Sequence, residues 1–488
     1  MRAPPRVPAG CGPETGTGAG RALSPAPALP RCHYPRPVRE IRIHDTLTGG
    51  LRPLEPRDPG KVGIYACGPT VYGRIHVGNA RPFVVFAVFK RFLERVGYEV
   101  RLVANITDVN DKIYAAAIAA GRPSGDLAAE MTAHYIADTD GLGLGRPDAE
   151  PLATGHIEGI VALIGDLVAS GHAYEAQGDV YFSVRSHPAY GELSHRDVDL
   201  MDQGEGVEGA NLKRDPLDFA LWKATKPGED TSWSSPWGDG RPGWHIECSA
   251  MAEAELGVDF DVHGGGSDLV FPHHENEQAQ TSAARGRPLS RLWMHNGMVR
   301  FGEEKMAKSV GNVLLLHEAL ERHGRDAVLL WLLGGHYRQP LACSEERFEE
   351  AKARASRIRE AARRLVPGES PDHLRPYRER FIDSLCDDFN TPAALAEMFG
   401  WVREVNRGGE QVGGDDLHAM LDVLALTNLL DAHQGDGPDA AALGLLEARE
   451  AARAARDWAE ADRIRDELLA AGWAVRDGGD GPELIPAR

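Results

Sequence analysis

The sequence predicts an α/β fold built around a parallel sheet, and three consecutive segments carry that prediction. Lys61 to Ala66 is a short apolar run of the kind that forms a buried strand. Asn79 to Val96 has the spacing of an amphipathic helix, and Gly97 follows it where helices commonly end. Tyr98 to Ile106 is a second apolar strand. A strand, a helix and a strand of these lengths form a βαβ unit, whose strands lie parallel.

The chain beyond this unit is predicted to interrupt the sheet and then to continue it. Residues from about 115 to 240 mix helical stretches with loops and one strand-like piece, which indicates an insertion, placed at 151–240. A strand over Val258 to Val262 then leads to a flexible turn at Gly264–Gly266. A helix opened by proline is predicted from Pro272 to Ala284. From Ser344 onward the residue spacing is typical of bundle helices.

These patterns divide the 488 residues into six parts. The parts are a disordered tail rich in proline, glycine and alanine (1–40), the first half of the sheet domain (41–150), the insertion (151–240), the second half of the sheet domain (241–343), a helical bundle (344–433) and a small C-terminal unit (434–488).

The overall charge limits the partners that the chain can bind without specificity. It has 54 basic and 73 acidic residues, a formal net charge of −19. Sequence-blind binding to nucleic acid or to an anionic membrane is therefore disfavoured, and any nucleic-acid contact needs a local basic surface, predicted between Arg347 and Arg380. No apolar run of 18 residues is present, which excludes a transmembrane helix. Six cysteines without a visible secretory signal predict a cytoplasmic location.

Two cysteines and one short segment supply candidate metal ligands. Cys67 follows the first predicted strand, and Cys248 lies in a predicted helix, although a lone cysteine is more often structural. His273 and Glu277 are four residues apart on a helix and share one face. His274 and Glu277 would also serve, and the spacing does not choose between the histidines. Two thiols, an imidazole and a carboxylate form a ligand set suited to Zn²⁺.

Two further motifs indicate nucleotide binding. His76-Val77-Gly78-Asn79 precedes a predicted helix, and helix N-termini bind phosphates through their unpaired N–H groups. Lys305-Met306-Ala307-Lys308-Ser309 is predicted to lie in a loop, where the lysines can neutralise developing phosphate charge. Either motif alone is more often an ordinary helix start or an exposed loop. The sequence contains no P-loop.

The two motifs resemble the HIGH and KMSKS signatures of class I aminoacyl-tRNA synthetases. Longer segments resemble the cysteinyl-tRNA synthetase family: CGPTVYGRIHVGNARPFVVF, NITDVNDKI, RPGWHIECSAM, DVHGGGSDLVFPHHENEQAQ and KMAKSVGN. The resemblance extends from about Ile41 to the C-terminus. It implies a Rossmann-type class I catalytic domain with a connective insertion, followed by an α-helical bundle and a small anticodon-binding domain. Ala307 departs from the KMSKS pattern and lacks its serine hydroxyl.

The resemblance also implies roles for individual residues. The implied zinc ligands are Cys67, Cys248, His273 and Glu277, so the resemblance selects His273 over His274. The implied ATP-binding residues are His76, Gly78, Asn79 and Lys308, and the implied catalytic residues are His76, Asn79, Lys305 and Lys308. The implied amino-acid pocket contains Thr107, Trp244 and Asp268. The implied anticodon contacts are Arg453, Trp458, Asp462 and Asp477.

The activity that the resemblance implies is ATP-dependent attachment of L-cysteine to tRNA(Cys) through a cysteinyl-adenylate. One Zn²⁺ would recognise the substrate thiol, Mg²⁺ would accompany ATP, and we expect a monomer. The alternative is a cysteine ligase of mycothiol biosynthesis, which resembles the same catalytic half. That ligase needs no anticodon reader, so residues 345–488 favour the synthetase.

Overall fold

A computed structural model describes residues 39–201, 211–301, 304–305, 313–431, 440–478 and 481–486, and the structural statements below concern those residues. The predicted tail therefore lies outside the described residues except for its last two positions.

The described residues contain seventeen strands and fourteen α-helices. The strands are β1 (Arg42–Asp45), β2 (Gly50–Pro53), β3 (Lys61–Ala66), β4 (Glu99–Ala104), β5 (Ala173–Ala176), β6 (Asp179–Phe182), β7 (Phe219–Ala224), β8 (Gly240–Pro242), β9 (Phe260–Gly266), β10 (Ser290–Asn296), β11 (Val299–Phe301), β12 (Glu304–Lys305), β13 (Leu341–Cys343), β14 (Leu365–Val366), β15 (Val412–Gly413), β16 (Trp473–Gly478) and β17 (Gly481–Pro486). The helices are α1 (Val77–Arg95), α2 (Asp111–Ala120), α3 (Ser124–Asp140), α4 (Ile157–Ala169), α5 (Trp244–Leu256), α6 (Glu275–Arg285), α7 (Leu316–His323), α8 (Arg325–Leu332), α9 (Glu345–Ala362), α10 (Arg375–Cys386), α11 (Thr391–Gly408), α12 (Asp415–Val423), α13 (Ala440–Ala454) and α14 (Trp458–Ala470).

A four-stranded parallel sheet in the order β10-β9-β3-β4 forms the centre of the catalytic half. Successive residues of β3 face opposite sides: Ile64 belongs to the core that contains α1, and Tyr65 belongs to a second core that contains Cys248 of α5. Both faces of the sheet are thus covered by helices, as parallel sheets require. The predicted parallel sheet is confirmed.

Between β4 and β9 the chain forms the inserted region, which has its own small core. Strands β5 to β8 make an antiparallel sheet that packs with α4 around Leu163, Phe182 and Trp222. The buried carboxylate of Glu275, in the first turn of α6, accepts backbone hydrogen bonds from Gly191 at 2.8 Å and Ser194 at 2.7 Å. The insertion is therefore attached to the helix that carries Glu277.

A second small sheet and the helical region follow the central sheet. Strand β11 pairs with β12 antiparallel and with β13 parallel. Helices α9 to α12 then pack together, with Trp401 fully buried among them. Helices α13 and α14 pack with the β16–β17 hairpin at the C-terminus. Within the described ranges, no helix combines the length and apolar character needed to cross a membrane.

One local prediction about the metal segment is wrong. Gly264–Gly266 is the end of β9 and not a flexible turn, because its residues pair in parallel with β10. A Cβ on Gly264 would lie 2.1 Å from the carbonyl oxygen of Met294, so the close approach of this strand needs glycine. The helix predicted from Pro272 is confirmed: Pro272 to His274 form a helical turn that continues into α6, and Phe271 before it is extended at φ −137° and ψ 133°, the conformation favoured before proline.

Candidate active site

The candidate ligands converge at the carboxyl edge of the central sheet. Cys67 directly follows β3, Thr107 lies just after β4, and the glycines of β9 end at the same edge. The backbone N–H of Cys67 donates to the carbonyl of Gly264 at 2.9 Å. In open parallel sheets ligands bind at this edge, so its position agrees with the predicted site.

All five candidate metal ligands lie together. The Sγ atoms of Cys67 and Cys248 are 3.9 Å apart, and the Sγ of Cys67 is 3.6 Å from Oε1 of Glu277. Nε2 of His273 lies 2.9 Å from the same carboxylate oxygen. Nε2 of His274 lies 3.3 Å from the Sγ of Cys67. One ligand atom each from Cys67, His273, His274 and Glu277 falls within 4.8 Å of the others, a cluster that could hold a metal ion. The geometry thus includes both histidines.

Three more histidines orient this cluster, and the sequence analysis missed them. Nδ1 of His245 lies 2.9 Å from Nδ1 of His273. Nε2 of His263 contacts Oε2 of Glu277 at 2.8 Å, and Nε2 of His295 lies 2.7 Å from Nδ1 of His274. Each of these contacts uses the ring nitrogen or carboxylate oxygen that does not take part in the cluster. The three supporting histidines therefore fix the orientation of His273, Glu277 and His274 and leave one ligand atom of each for the cluster.

Burial and mutual contact shift the pKa of each group in the cluster. The hydrogen bond from the Cys67 thiol lowers the pKa of Cys248 to about 7, whereas burial raises the pKa of Cys67 well above its usual range. Burial would raise the pKa of Glu277, but the imidazoles of His273 and His263 outweigh it and hold that pKa well below the usual range. The cluster therefore favours a carboxylate at Glu277 and a readily formed thiolate at Cys248.

The loop that carries Cys67 is held by Asn105, a fourth residue that the sequence analysis missed. The fully buried Oδ1 of Asn105 accepts a hydrogen bond from the N–H of Gly68 at 3.0 Å. Its Nδ2 donates to Oγ1 of Thr107 at 3.3 Å, and the Thr107 hydroxyl in turn hydrogen-bonds to the buried Glu247. A polar chain thus connects the end of β4 with the Cys67 loop and with α5, the helix of Cys248.

The three predicted amino-acid pocket residues occupy different environments. Thr107 is buried, with 1% of its surface exposed, and is bonded on both sides as described above. The ring of Trp244 stacks on the ring of His273 with centroids 4.2 Å apart. Asp268 is exposed, just beyond β9. Trp244 therefore lies directly beside the metal cluster.

The predicted nucleotide motif His76–Asn79 begins helix α1 through a reciprocal cap. Nδ1 of His76 accepts hydrogen bonds from the N–H groups of Gly78 at 3.0 Å and Asn79 at 3.3 Å, and Oδ1 of Asn79 accepts one from the N–H of His76 at 3.3 Å. A neutral ring that accepts at Nδ1 carries its proton on Nε2. A Cβ on Gly78 would lie 2.8 Å from the His76 ring, so this tight start requires glycine.

The lysines of the second motif are only partly described. Lys305 ends β12, opposite Arg300 of β11. The predicted phosphate ligand Lys308 lies outside the described residues, as does Ala307.

The predicted anticodon residues lie in the C-terminal unit. Trp458 and Asp462 are four residues apart on α14 and share a face, and Trp458 is 60% exposed. Asp462 forms an ion pair with Arg465 at 3.0 Å. Arg453 lies in the last turn of α13, and Asp477 lies in β16.

Comparison with known proteins decides the family. The profile of the tRNA synthetase class I (C) catalytic domain matches residues 53–353, a DALR domain matches 380–430, and the cysteinyl-tRNA ligase anticodon binding domain matches 436–482. The cysteine–tRNA ligase of Halorhodospira halophila is 47% identical over 454 residues, which cover 90% of this chain and 98% of the relative. The chain belongs to the cysteine–tRNA ligase family. The cysteine–tRNA ligase of Chromohalobacter salexigens is 46% identical over 459 residues, which cover 91% of this chain and 99% of the relative.

Membership of the cysteine–tRNA ligase family makes the chain a class I aminoacyl-tRNA synthetase, and solved structures agree with that fold. Mycobacterium tuberculosis methionyl-tRNA synthetase in complex with methionyl-adenylate superposes with a TM-score of 0.57 at 18% identity. The superposition covers 76% of this chain and 90% of the other. The predicted class I catalytic domain with helical C-terminal parts is confirmed.

Proposed function

We propose that this enzyme attaches L-cysteine to tRNA(Cys) in two steps, with a cysteinyl-adenylate as the intermediate. In the first step the cysteine carboxylate attacks the α-phosphorus of ATP and releases pyrophosphate. In the second step the terminal ribose hydroxyl of the tRNA attacks the adenylate carbonyl and releases AMP. The observation that carries the proposal is the thiol–imidazole–carboxylate cluster at the carboxyl edge of a class I synthetase sheet.

The residues of the cluster fit a zinc ion. Tetrahedral zinc with bonds of about 2.0–2.3 Å has ligand atoms roughly 3.3–3.8 Å apart. The 3.6 Å separation between the Cys67 sulphur and Glu277 falls in that range, and the 3.9 Å between the two sulphurs lies just above it, whereas Nε2 of His273 and Oε1 of Glu277, 2.9 Å apart, would separate to accept an ion. Thiolate ligands favour zinc over magnesium or calcium. Cys67, Cys248, His273 and Glu277 would hold it, and His274 is a fifth donor at the same position. When bound, zinc supplies a soft Lewis acid that prefers the thiolate of cysteine to the hydroxyl of serine.

The protein groups around the cluster orient the amino acid. The Trp244 ring stacks on the ring of His273 and would form one wall of the amino-acid pocket. The hydrogen bond that the Thr107 hydroxyl donates to Glu247 fixes the direction of that hydroxyl. We place Asp268, exposed at the rim, among the residues that contact the substrate. Rejection of serine by ligand chemistry removes the need for a separate editing site, since shape alone separates oxygen from sulphur poorly.

The start of α1 would bind ATP. His76 presents its Nε2–H because Nδ1 is occupied by the helix cap, and Gly78 permits close approach of the nucleotide. Asn79 lies exposed at the same turn. Lys305 and Lys308 would stabilise charge on the phosphates, with Mg²⁺ accompanying ATP. Replacing Lys308 by alanine should slow ATP–pyrophosphate exchange by about 10²–10³-fold, the range for losing one transition-state donor, and a wild-type rate would contradict its role.

The C-terminal half would hold the tRNA. We assign anticodon contacts to Arg453, Trp458, Asp462 and Asp477, and the exposed Trp458 offers a stacking surface for a base. In the bundle, Arg354 and Arg357 line a groove of about 340 Å³ between α9 and α11 and have no ion pair among the described residues. Most other basic residues of this stretch pair with acids, as Arg359 does with Asp326 at 2.7 Å. We therefore place the tRNA-binding basic surface, predicted between Arg347 and Arg380, at this groove.

Two assays test the proposal. ATP–pyrophosphate exchange with cysteine and with serine tests the first step, and we expect activity with cysteine only. Charging of tRNA with a GCA anticodon tests the second step. Absence of cysteine-dependent exchange would refute the proposed activity. Exchange without charging would favour the mycothiol-type ligase, which the match of residues 436–482 to an anticodon binding domain counts against.

A further inference from the structure

The side chain of Arg81 connects two parts of the catalytic half that are far apart in sequence. Arg81 lies in the first turns of α1, two residues after Asn79, and is 1% exposed. Its Nη1 donates hydrogen bonds to the carbonyls of Gly297 at 2.5 Å and Gln339 at 2.8 Å. Its Nη2 donates to the carbonyl of His336 at 2.9 Å. One guanidinium therefore binds three backbone carbonyls from two segments.

Both segments lead directly into the small sheet. Gly297 lies two residues before β11, and Gln339 lies two residues before β13. Strands β11 and β13 run parallel, and β12 pairs with β11 so that Lys305 lies opposite Arg300. Arg81 consequently holds the starts of both parallel strands against α1.

The chain that follows the lysine motif also returns to α1. The N–H of Val77 donates to the carbonyl of Leu314 at 3.0 Å, and the N–H of Leu316 donates to the carbonyl of Ile75 at 3.0 Å. The described segments on both sides of the motif are thus attached to the stretch from Ile75 to Arg81. That stretch contains His76 and Asn79.

The loop that Arg81 grips is held from its other side as well. Tyr337 donates its hydroxyl to Oδ1 of Asp388 at 2.7 Å, and Nε of Arg338 donates to Oδ2 at 2.7 Å. Asp388 is 5% exposed and precedes the bundle helix α11. Arg81 therefore attaches α1 to a loop whose position is already set by the helical region.

The residue type argues for a role beyond packing. Arg81 forms no ion pair among the described residues, and burial lowers its pKa to about 10, so it stays charged at neutral pH. A buried cation is costly in free energy unless its donors are satisfied. An apolar side chain of similar volume at the same position usually gives the folded protein at least equal stability. Only the planar fork of arginine spans three carbonyls at once, whereas lysine presents a single point charge.

We propose that Arg81 is a positioning residue for adenylate formation, which sets the distance between the His76–Asn79 start of α1 and the small sheet that bears Lys305. The inference rests on the proposed function. It predicts that Arg81 acts on the ATP half of the site and leaves the cysteine half, around Cys67 and Cys248, unchanged.

The test measures ATP–pyrophosphate exchange by Arg81→Met and Arg81→Lys enzymes, with ATP and cysteine varied in turn. For Arg81→Met we expect kcat to fall at least tenfold and KM for ATP to rise severalfold. KM for cysteine should stay within twofold of wild type and bound zinc should be unchanged. Arg81→Lys should be intermediate, because one ammonium can replace only part of the fork.

Arg325→Met is the matched control. Arg325 also donates to backbone carbonyls, those of Leu142 at 2.7 Å, Gly143 at 3.3 Å and Ala425, but among the described residues none of its hydrogen-bond partners belongs to α1 or the small sheet. It should lower thermal stability and leave the kinetic constants of the folded enzyme unchanged.

Wild-type kcat and KM for ATP in folded Arg81→Met would overturn the inference, as would equal losses in KM for cysteine and in zinc content. If Arg81→Met does not fold, Arg81→Lys is judged by the same constants. Absence of exchange in the wild-type enzyme would refute the proposed function, whereas wild-type exchange with unaffected Arg81 variants would refute this inference alone.

Discussion

Replacing Gly68 by alanine should displace Cys67 and disable recognition of cysteine. Gly68 has no left-handed φ, so backbone preference is not the reason for glycine here. A Cβ at this position would lie 1.7 Å from the carbonyl oxygen of Asn105, and real Cβ contacts essentially never fall below 3.0 Å. The loop must therefore move by at least 3.0 − 1.7 = 1.3 Å.

A displacement of that size is large for an active site. A misplacement of about 1 Å can cost 10²-fold in rate, so we expect kcat/KM for cysteine to fall at least ~100-fold in pyrophosphate exchange. Zinc per chain, measured by mass spectrometry of the metal, should fall as well. KM for ATP should change little, because among the described residues Gly68 is hydrogen-bonded to Asn105 and not to the start of α1.

The control is Gly125→Ala in α3, where a Cβ meets nothing within 4 Å and alanine suits the helix. A Gly68→Ala enzyme with full zinc content and kcat/KM within threefold of wild type would refute the reasoning. If that variant unfolds, Asn105→Ala removes both the acceptor of the Gly68 N–H and the donor to Thr107, whereas Asn105→Asp retains the acceptor. The first should impair cysteine use more than the second.

Three further predictions follow from other parts of the structure. Cys248→Ser should lose zinc and cysteine activation together. Cys343 is a buried cysteine in β13, and Cys343→Ser should lose neither. Full zinc content and activity in the Cys248→Ser enzyme would contradict the role of Cys248 as a zinc ligand. Changing Arg354 and Arg357 to glutamine should weaken tRNA charging while pyrophosphate exchange stays normal. The magnitude of the slope of log tRNA affinity against log salt concentration should fall by roughly 0.7–0.9 per replaced residue. An unchanged slope would exclude the groove as a tRNA-binding surface. Burial would raise the pKa of Asp259, but Arg291 and Arg287 outweigh it and lower that pKa, so the ion pairs stabilise the fold above about pH 4 and lose this effect as pH falls through the lowered pKa. Asp259→Asn should therefore reduce the drop in the free energy of unfolding, measured with urea, between pH 7 and pH 3. An unaltered drop would contradict this.

The sequence carried the main ligands and the order of the elements, because both are local or motif-based. Cys67 and the βαβ unit were predictable from apolar runs, and His273 with Glu277 from helical spacing. The spacing of residues could not predict that Cys67 lies beside the later ligands, since this proximity depends on the pairing of β9 with β3. Donor chemistry alone grouped Cys248 with the other candidates, and the resemblance selected His273 over His274.

The supporting residues were missed for a physical reason. His245, His263 and His295 lie on three different elements, and no local pattern distinguishes an inward imidazole from an ordinary core histidine. The glycine content of Gly264–Gly266 predicts a turn, yet these residues pair with β10, and a side chain on Gly264 would collide with the Met294 carbonyl of that strand. The capping role of His76 and Asn79 is local and agrees with the helix start that the motif indicated.

The pairing of β3 with β9 also imposes an order on biosynthesis. Cys67 and Glu277 are 277 − 67 = 210 residues apart, and the whole inserted region is made between them. At roughly 5–20 residues per second, the ribosome needs about 10–40 seconds to synthesise that stretch. During this interval the Cys67 thiol has emerged without the carboxylate, the imidazoles or the second sulphur that surround it in the finished protein. If the cluster binds zinc as proposed, loading of the ion would be a late event of translation or would follow it, and the nascent thiol would depend on a reducing environment until then.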